Sequence, residues 1–437
     1  MNNRYLPLLA LIGLLLWPGI VRADIQYIDL TNPFLRKIPI AVPVFKALTP
    51  NGNEQELAAP ISDQVVEMLN FTGYFKSLDR IGFLYDPRSG GITRTELNFG
   101  NWTTVGAELL VTGGVSVLGE TLELELRLFD TFKAEMMVGK RYRGVIGDQR
   151  KMVRRFCSEV IQVLTGHPGV FDSRIAFVST VAGNKEIFAC DFDGTNVRQI
   201  TRNSSISNFP HWSSDGRYLA YTSFKEGPSR IVIRNLQNDA ETTLNYKGVQ
   251  IKPSWVPHRF EMAATLSFTG DQEIYLLTGD GKMIKRVTNH AGINVEPTWS
   301  PDGKMMAFVS NRAGTPQIFV LEIESQRMHR LTYQGRYNTQ PSWSPKGDRI
   351  AYSSMDDGRF NINVIDIDGN DPIRLTHNQG DNEAPSWSPD GSLIVFSSTR
   401  TGRSQLHVMT AFGTDQRRLL VMDGEQSHPN WSPNIPQ

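Results

Sequence analysis

The stretch "VEPTWSPDGKMMAFVS" runs from Val295 to Ser310, and a close copy, "EAPSWSPDGSLIVFSS", runs from Glu383 to Ser398. Their shared core, Pro-x-Trp, occurs six times at a nearly fixed interval. The six tryptophans are Trp212, Trp255, Trp299, Trp343, Trp387 and Trp431, separated by 43, 44, 44, 44 and 44 residues. A constant period of this size predicts a repeat architecture.

The sequence pattern within each repeat predicts four short β-strands. After Trp343 comes the turn "SPKG", in which proline presets φ and glycine closes the turn. The apolar run "DRIAYSS", the alternating "NINVIDI" and the short "PIRLTH" follow, separated by polar or glycine-containing breaks. Four strands in about 44 residues is typical of a β-propeller blade. The repeats lack the i, i+3, i+4, i+7 apolar spacing that a helical solenoid requires.

The phase of the repeat predicts how the ring closes. The region opens at Ser173-Arg174 with "RIAFVS", which matches the second strand of a blade, and the chain ends with a lone Pro-x-Trp strand, "HPNWSP". We therefore predict a six-bladed propeller over residues 170–437, in which the C-terminal strand completes the first blade and removes an open sheet edge. The repeated tryptophans are expected to pack between neighbouring blades.

The first 23 residues resemble an export signal. They combine Arg4, a short apolar core and a small residue at Ala23, after which cleavage is expected. No later segment is apolar enough to predict membrane insertion, so an exported, soluble protein is expected. The segment "DIQYIDLTNPFL", residues 24–35, follows as an arm with no clear partner.

Residues 36–169 predict one compact α/β domain. "KIPIAVPVF" is strand-like, and "APISDQVVEMLNFTGYF" predicts a helix that starts near Ser62-Asp63. "ELLVTGGVSVLG", "TLELELRLFDT" and "AEMMVGKRYRGV" predict three consecutive strands. "DQRKMVRRFCSEVIQVLTG" predicts a helix with Asp148 at its start and Gly166 just past its end. "GHPGVFDSR" is the expected linker to the propeller.

The charge balance and the cysteine content limit the classes of function that the protein could have. The chain has 45 basic and 45 acidic residues, and two of the basic ones lie in the first 23 residues. This balance argues against nucleic acid as a partner. The two cysteines, Cys157 and Cys190, are too few for a disulfide scaffold, and two separate buried thiols are expected. A monomer is expected.

No catalytic motif is present: the sequence lacks G-x-S-x-G, H-E-x-x-H, G-x-x-x-x-G-K-[ST] and G-x-G-x-x-G. We therefore expect no cofactor, no bound metal and no enzymatic activity.

Polar residues concentrate where each Pro-x-Trp strand begins, at one end of the predicted channel. An Asn or Gln recurs at the same register in five repeats, and Ser207 replaces it in the sixth. The amides are expected to face solvent and bind a protein. The candidate residues are Ser207, Asn208, Gln250, Lys252, Asn294, Val295, Glu296, Asn338, Thr339, Asn382, Glu383, Gln426 and Ser427. Two alternatives remain open at this point. The amides could instead bond to loop main chain, or Asp381, Glu296, Glu383 and Glu425 could hold a metal for a hydrolase or lactonase.

The order of signal segment, small α/β domain and six Pro-x-Trp-Ser-Pro-Asp-Gly repeats closed by "PNWSP" resembles the TolB family over the whole chain. The resemblance implies a non-enzymatic periplasmic component of the Tol–Pal system, which supports outer-membrane integrity and cell division. It also implies that the propeller mouth binds the peptidoglycan-associated lipoprotein Pal, that group A colicins use the same mouth, and that the arm binds TolA. The arm residues so implied are Asp24, Ile25, Gln26, Tyr27, Ile28, Asp29 and Leu30.

The second repeat departs from the family pattern. "WVPHRF" replaces the Trp-Ser-Pro-Asp-Gly turn after Trp255, and Val249 stands where some family members carry histidine.

Overall fold

The computed structural model describes residues 36–49, 52–84, 86, 90–377 and 379–435. It shows an α/β domain followed by a six-bladed β-propeller, which confirms the predicted fold class. The signal segment 1–23 and the arm 24–35 lie outside the described residues.

The α/β domain is built on one mixed sheet. Its strands are β1 (Ile38–Ala41), β2 (Lys46–Ala47), β3 (Phe75–Ser77), β4 (Leu109–Leu118), β5 (Thr121–Asp130) and β6 (Glu135–Val145), and its helices are α1 (Gly52–Phe71), α2 (Phe99–Thr104) and α3 (Gln149–Thr165). The strand order is β3-β1-β4-β5-β6, and β2 also pairs with β4. Strands β4 to β6 are the three predicted consecutive strands, and they pair antiparallel. Helices α1 and α3 pack against each other, and against β4 and β6 respectively.

Helix α1 begins ten residues earlier than the sequence predicted, at Gly52, so Pro60 lies inside it. The first turn is held by Glu54, whose fully buried carboxylate accepts hydrogen bonds from the main-chain N–H groups of Val117 and Thr49, at 2.6 and 3.0 Å. A carboxylate at a helix N-terminus is also favoured by the helix dipole. This long-range anchor could not be read from local spacing.

Each propeller blade has four antiparallel strands. The inner strands are β10 (Ser207–Trp212), β14 (Gln250–Trp255), β18 (Asn294–Trp299), β22 (Tyr337–Trp343), β26 (Asn382–Trp387) and β30 (Gln426–Trp431). The second strands are β7 (Arg174–Ser179), β11 (Tyr218–Ser223), β15 (Glu261–Leu266), β19 (Met305–Ser310), β23 (Arg349–Asp356) and β27 (Leu393–Ser398). The third strands are β8 (Glu186–Asp191), β12 (Arg230–Asn235), β16 (Glu273–Thr278), β20 (Gln317–Glu322), β24 (Arg359–Asp366) and β28 (Gln405–Thr410). The outer strands are β9 (Arg198–Gln199), β13 (Glu241–Thr243), β17 (Met283–Arg286), β21 (Met328–Arg330), β25 (Ile373–Arg374) and β29 (Arg417–Arg418).

The C-terminal strand closes the ring as predicted. Strand β30 pairs antiparallel with β7, Gln426 opposite Ser179 and Trp431 opposite Ile175, so β30, β7, β8 and β9 form blade 1. Blades 2 to 6 follow in chain order, and neighbouring inner strands contact one another around the channel.

The six repeated tryptophans are buried between blades, as predicted. Three indole nitrogens donate to the preceding blade, at the carbonyl one residue before its own tryptophan. These bonds join Trp212 to Asn430, Trp299 to Ser254 and Trp387 to Ser342, at 3.2, 3.3 and 3.0 Å. In the aberrant second repeat, the indole nitrogen of Trp255 has no hydrogen-bond partner among the described residues.

The α/β domain contacts the propeller at the turns between third and outer strands. Arg150 pairs with Asp193, Lys37 pairs with Asp415 at 2.5 Å, and the guanidinium of Arg417 lies 4.6 Å from the ring centroid of Phe71. The third strand of a blade runs in the same direction as the inner strand, so both end at the same end of the channel. The contacts with the α/β domain therefore lie at the end of the channel opposite to the one where the inner strands begin.

The segment predicted as a linker is packed rather than loose, with Phe171 fully buried against Phe192. Cys157 and Cys190 are both free and buried, as expected. Within the described residues, no helix combines the length and apolarity needed to cross a membrane.

Candidate functional site

The candidate site is the mouth, the end of the channel at which the six inner strands begin. Three positions recur in every blade. The amide position is the one at which the sequence repeats an Asn or Gln. The rim position is one residue before the amide position, and the belt position is two residues after it. The structure brings all of the predicted propeller residues to this end, but it gives the three positions different roles.

The side chains at the amide position are fully buried, so the expectation that they face solvent is wrong. Most of them close the loop that leads into their own strand by donating to the carbonyl four residues earlier. These bonds join Gln250 to Tyr246, Asn294 to His290, Asn338 to Gln334 and Gln426 to Met422, at 2.5, 3.1, 2.7 and 3.3 Å. Asn382 donates to Gly380, and Ser207 accepts from Asn203. The recurrent amide is thus a loop-closing residue, which was the first alternative left open by the sequence.

The belt position has an unusual main-chain conformation in every blade. Its residues are Phe209, Lys252, Glu296, Gln340, Ala384 and His428, with φ values of 54°, 52°, 58°, 53°, 52° and 47°. Non-glycine residues rarely adopt this left-handed region. In each blade the residue lies inside a β-bulge, where the register with the second strand shifts. A bulge redirects side chains, and here it turns the belt residues toward one another.

The belt residues form a chain of contacts from blade to blade around the channel. The rings of His428 and Phe209 meet edge to face, with centroids 4.7 Å apart, and the Lys252 ammonium lies 4.6 Å from the Phe209 ring centroid. Lys252 also pairs with Glu296, whose carboxylate accepts from the main-chain N–H of Gln340. Lys252 and Glu296, both predicted to bind a partner, are therefore engaged with each other.

Gln340 continues this chain into the last blade, because its side-chain oxygen accepts from the main-chain N–H of Ala384 at 2.8 Å. The belt thus links all six blades, from His428 in blade 1 to Ala384 in blade 6.

Burial dominates the electrostatics of this channel. The pKa of His428 is lowered to about 3 by burial and by the charges of Lys252 and Lys185. The pKa of Glu383 is raised by burial and by the nearby carboxylates of Asp381 and Glu296, while Lys252 opposes the shift.

The metal-site alternative depends on convergent ligands. Among the described residues, no group of three or more His, Cys, Asp or Glu side chains is placed to hold an ion.

The rim position carries the exposed side chains of the mouth. In blades 2 to 5 it is apolar, with Ile206, Val249, Ile293 and Tyr337 exposed by 43, 36, 39 and 39%. In blades 6 and 1 it is acidic, with half-buried Asp381 and exposed Glu425. Ile206, Ile293 and Tyr337 were not predicted, because the recurring pattern at the mouth is polar. The signal was present, since each of the three directly precedes the amide position of its repeat.

The remaining predicted residues lie between the amide and belt positions. Asn208, Val295, Glu383 and Ser427 are half-buried, and Thr339 is 7% exposed. The predicted arm residues, from Asp24 to Leu30, lie outside the described residues.

Two family models match the chain. The model described as the TolB beta propeller domain matches residues 161–435, and the model described as the TolB amino-terminal domain matches residues 26–137.

Curated relatives match over part of their length. The Tol-Pal system protein TolB of Desulfosudis oleivorans is 54% identical over 281 residues, which are 64% of this chain and 64% of the relative. The protein TolB homolog of Chlorobaculum tepidum is 42% identical over 280 residues, which are 64% of this chain and 63% of the relative. The aligned part of the chain therefore spans slightly less than two thirds of each relative.

A solved structure matches almost end to end. The crystal structure of TolB from Acinetobacter baumannii superposes with a TM-score of 0.80 at 26% identity, covering 91% of this chain and 97% of that chain. Both domains and their order thus agree with the two family models, and the chain belongs to the TolB family.

Proposed function

We propose that this protein is a non-enzymatic periplasmic adaptor of the Tol–Pal system, which supports outer-membrane integrity and cell division. Its propeller mouth binds the peptidoglycan-associated lipoprotein Pal, and its arm, residues 24–35, binds TolA. Group A colicins are further ligands proposed for the mouth.

The observation that carries this proposal is the exposed rim. Monomeric proteins rarely leave apolar side chains grouped on one surface unless that surface binds something. Four adjacent blades present Ile206, Val249, Ile293 and Tyr337, while Asp381 and Glu425 complete the circle. A protein partner with an apolar patch and a basic group opposite the acids would complement this surface.

The position of the α/β domain supports the same use of the mouth. Its contacts with Asp193 and Asp415 lie at the far end of the channel, so the described part of that domain leaves the mouth open. A ring of open loops on a rigid propeller suits recognition of a folded protein. The curated relative from Desulfosudis oleivorans bears the name Tol-Pal system protein TolB, which agrees with this assignment.

A hydrolase or lactonase is the competing class. Its best support is Glu383, because a carboxyl group with a raised pKa is a common feature of active sites. Against it, Glu296 is already paired with Lys252 and bonded to the main chain at Gln340. A metal-dependent hydrolase would need those carboxylates free to converge on an ion. We therefore favour the adaptor.

The test is calorimetric titration of the mature protein, residues 24–437, with purified Pal from the same bacterium. The double variant Ile206→Asp/Ile293→Asp should weaken binding by about tenfold or more, since it places charges in the centre of an apolar contact. The matched control is Ile373→Asp, because Ile373 is 54% exposed on an outer strand. Unchanged affinity in the double variant would remove the mouth as the Pal site.

A further inference from the structure

The α/β sheet ends in a long strand, β6. In the part of the chain that the structure describes, this strand is the last of the sheet and pairs only with β5. From Val138 to Val145 each residue faces one residue of β5, and the only register shift lies before Val138. Among the described residues, β6 makes no main-chain hydrogen bond outside this ladder. One side of a regular strand therefore keeps its N–H and C=O groups available.

Three of the four charged side chains of this strand are basic. Lys140, Arg141 and Arg143 are exposed, and Glu135 is the one acidic residue of the strand. Lys140 contacts Glu159 at 3.1 Å, and Arg141 contacts both Glu123 and Glu125, at 3.5 and 2.5 Å, but the two cations stay 44 and 64% exposed. They can still meet an added carboxylate.

A cleft of about 530 Å³ lies beside the start of β6. Its lining residues are Thr93, Arg94, Thr95, Arg127, Glu135 and Met136. One guanidinium nitrogen of Arg127 donates to Glu125 at 2.6 Å, while the other terminal nitrogen is buried without a hydrogen-bond partner among the described residues. A carboxylate in this cleft would supply the missing acceptor, and arginine binds carboxylates with particular strength.

The charge pattern decides between two occupants of the edge. Basic residues on an edge strand commonly prevent edge-to-edge association, because a second copy would place like charges opposite one another. The same residues attract a strand of opposite charge. Added strands gain affinity from main-chain bonds and selectivity from alternate side chains.

We propose that β6 and the adjacent cleft bind an extended, acidic segment of another protein, which adds a strand to the sheet and places a carboxylate beside Arg94 and Arg127. The site lies on the α/β domain, which contacts the propeller at the end of the channel away from the mouth. It is therefore independent of the function proposed for the mouth.

Synthetic peptides test the charge requirement on the mature protein, residues 24–437. The probes are the acetylated, amidated peptides TEVEVET and TKVKVKT with a fluorescent label, and binding is followed by anisotropy. We expect the acidic peptide to bind and the basic one not to bind. The variant Arg94→Glu/Arg143→Glu should weaken acidic-peptide binding about tenfold or more, since it reverses two charges at the site.

The matched control is Arg217→Glu/Arg327→Glu, which reverses two arginines that are 63 and 81% exposed on the propeller. It should leave peptide affinity unchanged, and circular dichroism verifies that each variant is folded. If the two double variants had equal effects, binding would depend only on the overall charge of the protein, and the proposal would be overturned. So would absence of acidic-peptide binding at concentrations up to about 1 mM.

N-methylated peptides test strand addition itself. Methyl groups on one set of alternate amides would block the bonds to β6, whereas methyl groups on the other set would point away from it. We expect the first set to abolish binding and the second to preserve it. Equal binding by both peptides would exclude strand addition. A dimer in sedimentation that Arg143→Glu dissociates would assign the edge to a second copy and also overturn the proposal.

Discussion

The indole nitrogen of Trp431 donates a hydrogen bond to the hydroxyl oxygen of Ser173 over 2.7 Å, although 258 residues separate the two in sequence. Trp431 belongs to the strand that closes blade 1, and Ser173 precedes the strand with which it pairs. The two ends of the propeller are thus joined by a main-chain ladder, a buried ring and a side-chain hydrogen bond. Closure is expected to contribute substantially to the stability of the whole ring.

Replacing Trp431 by alanine should lower the free energy of unfolding by about 3–5 kcal/mol, because it removes a large buried side chain. Ser173→Ala keeps the ring packed but removes both the acceptor for Trp431 and the donor to the main-chain oxygen of Val170, so it should cost about 1–3 kcal/mol. Urea denaturation followed by tryptophan fluorescence measures both. Equal stability of Trp431→Ala and the parent protein would contradict the closure of the ring by this strand.

Asn338 is expected to act in stability rather than in recognition. Its amide nitrogen donates to the main-chain oxygen of Gln334 and to the side-chain oxygen of Gln317, at 2.7 and 2.8 Å. Asn338→Ala removes both of these hydrogen bonds, although Gln317 still accepts from the Thr332 hydroxyl, and should lower the free energy of unfolding by about 1–3 kcal/mol. Ile293→Ala, at an exposed rim position, should change it by less than about 0.5 kcal/mol. Comparable values from urea denaturation would count against this division of roles.

Acid should destabilise the protein partly through His428. Burial, with the charges of Lys252 and Lys185, lowers its pKa from 6.5 to about 3. A base whose pKa is lower in the folded state takes up a proton on unfolding. Its contribution is therefore present above pH 6.5 and is lost as the pH falls from 6.5 toward 3. One such proton corresponds to a slope of about 1.4 kcal/mol per pH unit.

His428→Gln should reduce that slope between pH 6 and 4, as measured by urea denaturation at a series of pH values. Burial also lowers the pKa of His211, to about 4, so part of the slope should remain in the variant. His329→Gln, on an exposed outer strand, is the control. An identical slope in His428→Gln and the parent protein would exclude His428 as a source of acid sensitivity.

The arm carries the TolA part of the proposed function. Removing residues 24–35 should abolish binding of TolA, because an extended free segment can add to a sheet edge of its partner through main-chain bonds. The shortened protein should bind Pal through the mouth as before. Surface plasmon resonance with immobilised TolA and Pal measures both. If the shortened and mature proteins bound TolA equally, the arm would be only a frayed terminus.

The interval between tryptophans determined most of the fold. A period of 44 residues with turn residues at fixed places specifies four short strands, and the phase of the first and last fragments specifies which strand closes the ring. The boundaries of α3 followed in the same way from local signals, since the helix ends at Thr165, just before Gly166 with φ 81°. The start of α1 did not, because Glu54 is held in part by Val117, which is 63 residues away in sequence.

The sequence by itself therefore determined which residues are equivalent, and the tertiary structure decided what each equivalent position does. Asn294 and Ile293 are neighbours at the mouth, yet the first is fully buried and the second is 39% exposed. The bulge at Glu296 shifts the strand register and turns that side chain toward Lys252 of the preceding blade. Periodicity reveals none of this, because the direction of a side chain depends on local main-chain dihedral angles and on the blade beside it.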